Sequence, residues 1–219
     1  MVEISASVLG LKETNAIKQL YDLEVSGIDY FHIDVMDGKF VKNNTYQKMF
    51  ENASYIKRIS NLPLDIHLMV EDVKDAIDDF SAVEPNIITF HYEVCKSKEE
   101  VYKNIRYIKE CNCKVGLAVK PETKIEEIYE FLPYIHMCLV MTVEPGKGGQ
   151  TFIEETLEKV AKLKEYVKNN DIEIDIEVDG GINLATAPKA KEAGANVLVA
   201  GSAILIAKDY KVIIDELKQ

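Results

Sequence analysis

Phe31-His32-Ile33-Asp34-Val35-Met36-Asp37-Gly38 alternates side chains of two kinds and then breaks at a glycine. Successive side chains of a β-strand point to opposite faces, so Ile33 and Val35 share one face while His32, Asp34 and Met36 share the other. Leu64-Asp65-Ile66-His67-Leu68-Met69-Val70 repeats the arrangement, with Asp65, His67 and Met69 opposite Ile66, Leu68 and Val70. If helices cover the apolar face, the other face lines the inside of a barrel. A histidine and an aspartate placed there need partners, because an unpaired buried polar group costs several kcal/mol.

Outward from these two stretches, short β-branched runs alternate with longer amphipathic ones. Strands are expected at Glu3–Val8, Tyr30–Val35, Leu64–Met69, Ile87–His91, Lys114–Val119, Met137–Val143, Glu173–Val178 and Asn196–Ala200. Helices are expected at Thr14–Ser26, Tyr46–Ile59, Asp72–Ala82, Lys98–Cys111, Lys124–Leu132, Glu154–Asn169, Ala185–Ala193 and Ser202–Leu217. Gly27 and Gly194 follow helical runs directly and suit the left-handed residue that ends a helix. Eight such units in 219 residues are about 27 residues each, at the compact end of the roughly 200–250 typical of a (β/α)8 TIM barrel. A doubly wound open sheet would carry a glycine fingerprint after its first strand, and Val8-Leu9-Gly10 leads to none. With no linker-like tract or composition break, residues 1–219 are expected to form a single α/β domain.

Composition excludes several classes of function. Twenty-six Lys and Arg against thirty-seven Asp and Glu give a net charge of −11, which repels a phosphate backbone and argues against nucleic acid as a partner. No apolar run approaches membrane-spanning length, and the first residues lack a basic segment followed by an apolar one. Cys95, Cys111, Cys113 and Cys138 are scattered in a chain long enough to need no staples. A reduced, cytoplasmic protein with no membrane partner is expected.

In a barrel, ligands gather at the C-terminal ends of the strands. His32 and Asp34, His67, and Asp179 of Glu177-Val178-Asp179-Gly180-Gly181 all fall there. Any one of them is as readily a satisfied core residue or a turn cap. Together, two imidazoles and two carboxylates from three strands suit one divalent ion with mixed N and O ligands, such as Zn2+, Fe2+, Mn2+ or Co2+. Pro145-Gly146-Lys147-Gly148-Gly149-Gln150 after the sixth strand is expected to open a helix, as is Gly201-Ser202 after the eighth; Gly180-Gly181 follows the seventh. Glycines there let backbone N–H groups approach a phosphate. Met36, Met69 and Met141 also sit at strand ends, where they are either core filler or a polarizable lining.

The segments Phe31–Val41 (FHIDVMDGKFV), Leu64–Val70 (LDIHLMV), Val140–Phe152 (VMTVEPGKGGQTF), Glu177–Ile182 (EVDGGI) and Ala193–Ile204 (AGANVLVAGSAI) resemble the ribulose-phosphate 3-epimerase family, collinearly from Ile4 to Ile204. The resemblance implies a metal-dependent isomerase that interconverts ribulose 5-phosphate and xylulose 5-phosphate. It implies His32, Asp34, His67 and Asp179 as metal ligands and Asp34 and Asp179 as the acid/base pair. Substrate contacts are implied at Ser7, His67, Gly146, Lys147, Gly148, Gly149, Asp179, Gly180, Gly181, Gly201 and Ser202. The partner is then a small phosphorylated ketose, and a homo-oligomer is expected. This chain has Ala6 and Lys42 where the family usually has Pro, Lys120 where it has Asn, and Lys147 where it has an aromatic. Gly10-Leu11-Lys12 replaces the usual Ser-Ala-Asp.

Inverting a carbon beside a ketone requires a proton to leave one face and another to arrive at the opposite face, which two carboxylates can do. Asp34 is expected to accept and Asp179 to donate when ribulose 5-phosphate reacts. An allulose-6-phosphate 3-epimerase would use the same groups on a longer sugar. A barrel hydrolase would want a His-x-His pair where the first strand offers Ser5 and Ser7. A decarboxylase or aldolase would want an interior lysine, and a sugar-phosphate sensor would need no acid/base pair.

Overall fold

The computed structural model describes residues 2–219. Eight parallel strands close on themselves in chain order: β1 (Glu3–Ser7), β2 (Tyr30–Met36), β3 (Leu64–Met69), β4 (Ile87–His91), β5 (Lys114–Val119), β6 (Met137–Met141), β7 (Asp175–Asp179) and β8 (Val197–Ala200). β8 pairs with β1, so no edge is left open. Around the barrel run α1 (Ala16–Val25), α2 (Tyr46–Ile59), α3 (Val73–Ser81), α4 (Lys98–Glu110), α5 (Thr156–Asn169), α6 (Ala187–Ala193), α7 (Ser202–Leu205) and α8 (Tyr210–Lys218). This is the TIM barrel expected from the alternation.

Parity sorts the side chains as the strand period requires. Ile33, Val35, Ile66, Leu68, Ile88 and Phe90 are fully buried and belong to the continuous core between the strands and the helices. Inside the barrel, Ile87, Met137 and Val197 form a small apolar cluster at the N-terminal end of the strands. Above it the interior is divided. Ala118, Leu139, Met141 and Val143 make one wall apolar, while Ser5, His32, Asp65, His67, Thr89, His91 and Glu177 lie buried on the other strands. Gly116 makes room there, since a Cβ at that position would sit 2.0 Å from Thr89 Oγ1.

Four expectations need correction. The segment expected as a helix over Lys124–Leu132 is a 3-10 helix, Ile125–Tyr134, that contains Pro133, a residue with no N–H to give an α-helical ladder. The seventh strand spans Asp175–Asp179 rather than Glu173–Val178, because its ladder with β6 begins only at Met137↔Asp175. The closing helix is divided, since Asp209 turns the chain and its side chain caps the N-terminus of α8 through Val212 N–H. Finally, Pro145–Gln150 opens no helix. Gln150 Nε2 donates to the carbonyls of Glu144 and Lys147, and Ile153 N–H pairs with Thr142 O, so the chain returns to the end of β6 before α5 begins.

Candidate active site

Strand register sets the heights of the polar groups. His32 pairs across β2–β3 with Asp65, and Asp34 with His67, so an upper pair sits two residues above a lower one. The ring of His32 spans the two levels. Its Nδ1 lies 2.5 Å from Asp65 Oδ2, and its Nε2 lies 3.4 Å from Asp34 Oδ1 and 3.9 Å from Asp179 Oδ2. His67 Nδ1 lies 3.4 Å from Asp34 Oδ1 and 3.7 Å from Asp179 Oδ2. The four residues expected as ligands therefore present one atom each within 4.8 Å of one another.

These atoms fit a divalent cation. His32 Nε2 and His67 Nδ1 are buried with no hydrogen-bond partner, which is costly unless something electrophilic sits between them. A tetrahedral ion with arms of about 2.1 Å has ligand-to-ligand edges of about 3.4 Å, close to the spacings observed. The outer nitrogens are held as metal-binding imidazoles usually are. Asp65 grips His32 and itself accepts from Ser5 Oγ at 2.8 Å, while His67 Nε2 lies 2.9 Å from His91 Nε2.

The carboxylates are tuned differently. Burial works against ionisation of Asp34, but the neighbouring His32 charge overrides it and holds the group well below the usual range. Ser7 Oγ also donates to Asp34 Oδ2 at 2.7 Å. Asp179 is pushed up to about 7 by burial and by the Asp34 charge. Glu177, wholly buried below it, is held well above the usual range by burial and by the Asp65 charge. His32 is penalised by burial, yet Asp65 and Asp34 together raise it well above its ordinary value. His67 is lowered chiefly by burial, and so is His91, to about 4.

Above the cluster opens a cavity of about 350 Å³. Ser7, Asp34, Met36, Met69, Met141, Gly146, Lys147, Gly148, Gly149, Asp179, Gly180, Gly181, Gly201 and Ser202 all line it, so the rim residues expected from sequence are brought together. His32 and His67 lie beneath. The chain turns sharply after Asp179, at φ +122° for Gly180 and +68° for Gly181. A Cβ at Gly180 would approach Val143 Cγ2 to 2.3 Å, so only glycine fits. Thr142 Oγ1 pins this turn through the Gly180 carbonyl at 2.6 Å. Gly146 is tied to the loop after β2 by Asn43 Nδ2, which donates to its carbonyl at 2.7 Å.

The atypical residues are scattered. Ala6 faces the helices, Lys42 is exposed, and Lys120 Nζ stands 4.4 Å over the Phe40 ring, outside the cavity lining. His91 and Glu93 escaped the sequence reading, as did Asp65 and Glu177 in their supporting places. His91 could have been found by parity, since it shares the inward face of β4 with Thr89.

A family model for the ribulose-phosphate 3 epimerase family matches residues 3–205. The chain belongs to that family. It is an epimerase, an isomerase acting on carbohydrates. It is 39% identical to the ribulose-phosphate 3-epimerase of Methanocaldococcus jannaschii, over all of this chain and 91% of the relative. Against the ribulose-phosphate 3-epimerase of Bacillus subtilis the identity is 37%, over all of this chain and 99% of the relative. The fold is also shared with more distant barrels. The crystal structure of 3-keto-L-gulonate-6-phosphate decarboxylase from Vibrio cholerae superposes with a TM-score of 0.73 at 10% identity, covering all of this chain and 96% of the other.

Proposed function

We propose that this epimerase interconverts D-ribulose 5-phosphate and D-xylulose 5-phosphate at C3, with Asp34 and Asp179 as its proton carriers and one divalent ion held by His32, Asp34, His67 and Asp179. One observation carries the reading. Two carboxylates reach the floor of one cavity from different strands, each facing the same pair of imidazole nitrogens, His32 Nε2 and His67 Nδ1. For ribulose 5-phosphate, Asp34 takes the C3 proton and Asp179 returns one to the opposite face; the roles exchange in reverse. Ser7 holds Asp34 by its second oxygen, so the accepting oxygen is oriented before substrate arrives. Bound among these ligands, Zn2+, Fe2+, Mn2+ or Co2+ would stabilise the negative charge that develops on the substrate oxygens. Met36, Met69 and Met141 give the cavity an apolar, polarizable lining that keeps water from the proton-transfer path.

The phosphate is assigned to Gly146–Gly149, Gly180-Gly181 and Gly201-Ser202, on three adjacent strand ends. Lys147 supplies a cation at the tip of the first loop. Lys147→Ala should raise KM more than it lowers kcat, and an unchanged KM at low salt would leave Lys147 as a solvated loop residue. The exposed Ile17, Tyr21 and Val25 of α1, with Ile59 at the end of α2, support self-association into a homo-oligomer.

Incubating the enzyme with ribulose 5-phosphate and, separately, allulose 6-phosphate in heavy water tests the reaction and the substrate together. Deuterium should enter at C3 with no other product released. The five-carbon sugar should lead by at least about tenfold in kcat/KM, or roughly 1.4 kcal/mol of differential transition-state binding. A preference for the six-carbon sugar would overturn the substrate assignment, and release of a different product would overturn the reaction.

A further inference from the structure

Behind His67 runs a chain of hydrogen bonds that leaves the barrel interior and ends on the loop after β5. His67 Nε2 faces His91 Nε2 at 2.9 Å, and His91 Nδ1 faces Glu93 Oε2 at 3.2 Å. The other oxygen, Glu93 Oε1, accepts from Lys120 N–H at 2.7 Å and from Thr123 Oγ1 at 2.5 Å. His67 and His91 are both fully buried.

The order of protons along this chain is dictated from its far end. A carboxylate only accepts, so His91 Nδ1 must carry its proton toward Glu93. A neutral imidazole has one donor and one acceptor, which leaves His91 Nε2 bare. The facing His67 Nε2 must then be the protonated nitrogen, and His67 Nδ1 is bare. That bare nitrogen is the one 3.4 Å from Asp34 and 3.7 Å from Asp179. Only a bare imidazole nitrogen binds a metal ion. His32 needs no such chain, because Asp65 accepts directly from its Nδ1.

We propose that Glu93, acting through His91, fixes the tautomer of His67 and thereby keeps Nδ1 open toward the ion site. Glu93 and His91 are positioning residues. The assignment rests on the reading that the His32–Asp34–His67–Asp179 cluster holds a divalent ion.

Glu93→Gln provides the test, because the backbone determines how the new amide must sit. Lys120 N–H is an obligatory donor, so the amide oxygen stays with it and the NH2 turns toward His91 Nδ1. His91 must then accept at Nδ1 and donate from Nε2. His67 in turn accepts at Nε2 and carries its proton on Nδ1, where it blocks the ion. The substitution is isosteric at a partly exposed position, and circular dichroism checks the fold. In metal-free, 15N-labelled protein, the ring-nitrogen shifts of His67 should show Nε2 protonated in the wild type and Nδ1 protonated in Glu93→Gln. Affinity for Co2+, measured by competition with a chelator and without substrate, should fall about 10- to 100-fold. A purely structural role for Glu93 would change the melting temperature and leave the His67 tautomer as it was. An unchanged tautomer, or Co2+ affinity within about twofold of wild type, would overturn the relay. Failure of the wild type itself to bind Co2+ stoichiometrically would overturn the ion reading and the relay with it.

Discussion

Asp34→Asn and Asp179→Asn are each expected to lower kcat by several orders of magnitude. An amide matches the carboxylate in shape but neither takes nor delivers a proton at neutral pH. Loss of a positioned proton carrier alone costs about 10²- to 10⁴-fold. Each variant also removes one of two anionic groups facing His32 Nε2 and His67 Nδ1. Rates must therefore be compared on protein shown by elemental analysis to be loaded with the ion. A variant that so loaded kept about a tenth of wild-type turnover would show that its aspartate serves as a ligand only.

Exhaustive chelation should abolish turnover, and a divalent ion should restore it. The physical ground is the pair of partnerless imidazole nitrogens, His32 Nε2 and His67 Nδ1, buried beside two carboxylates. The same ion should be visible without any substrate. A ligand that binds only the folded state adds about 2.7 kcal/mol at a hundred times its Kd. For a chain of this size that corresponds to a rise of about 5–10 °C in Tm. Full activity in protein shown to be metal-free, with a Tm that no divalent ion moves, would remove the ion from the mechanism and leave the proton carriers to be judged alone.

The inward set was legible because a strand has a period of two. Once Ile33 and Val35 are assigned to the helices, His32 and Asp34 have nowhere to point but inward, and the same step gives His67. The same rule applies to Thr89 and His91 on β4 and to Glu177 below Asp179. Its yield there was lost because an isolated strand carries no sign of what stands opposite. Loop conformation was less legible than strand identity. The Gly146–Gly149 loop is shaped by Gln150 and by Asn43 from another loop, partners that no local pattern announces.

Residue type and a period read within one segment were enough for the alternation of strands and helices, the inward faces of β2 and β3 and the kind of chemistry at the strand ends. Depth and direction required the folded barrel. Pairing of neighbouring strands sets Asp34 level with His67 and His32 level with Asp65, and so turns one nitrogen of each ring toward the site and the other toward its support. It likewise brings Glu93 of one loop under the backbone N–H of Lys120 in the next. Register and closure arise from hydrogen bonds between strands far apart in the chain, so no stretch read alone contains them.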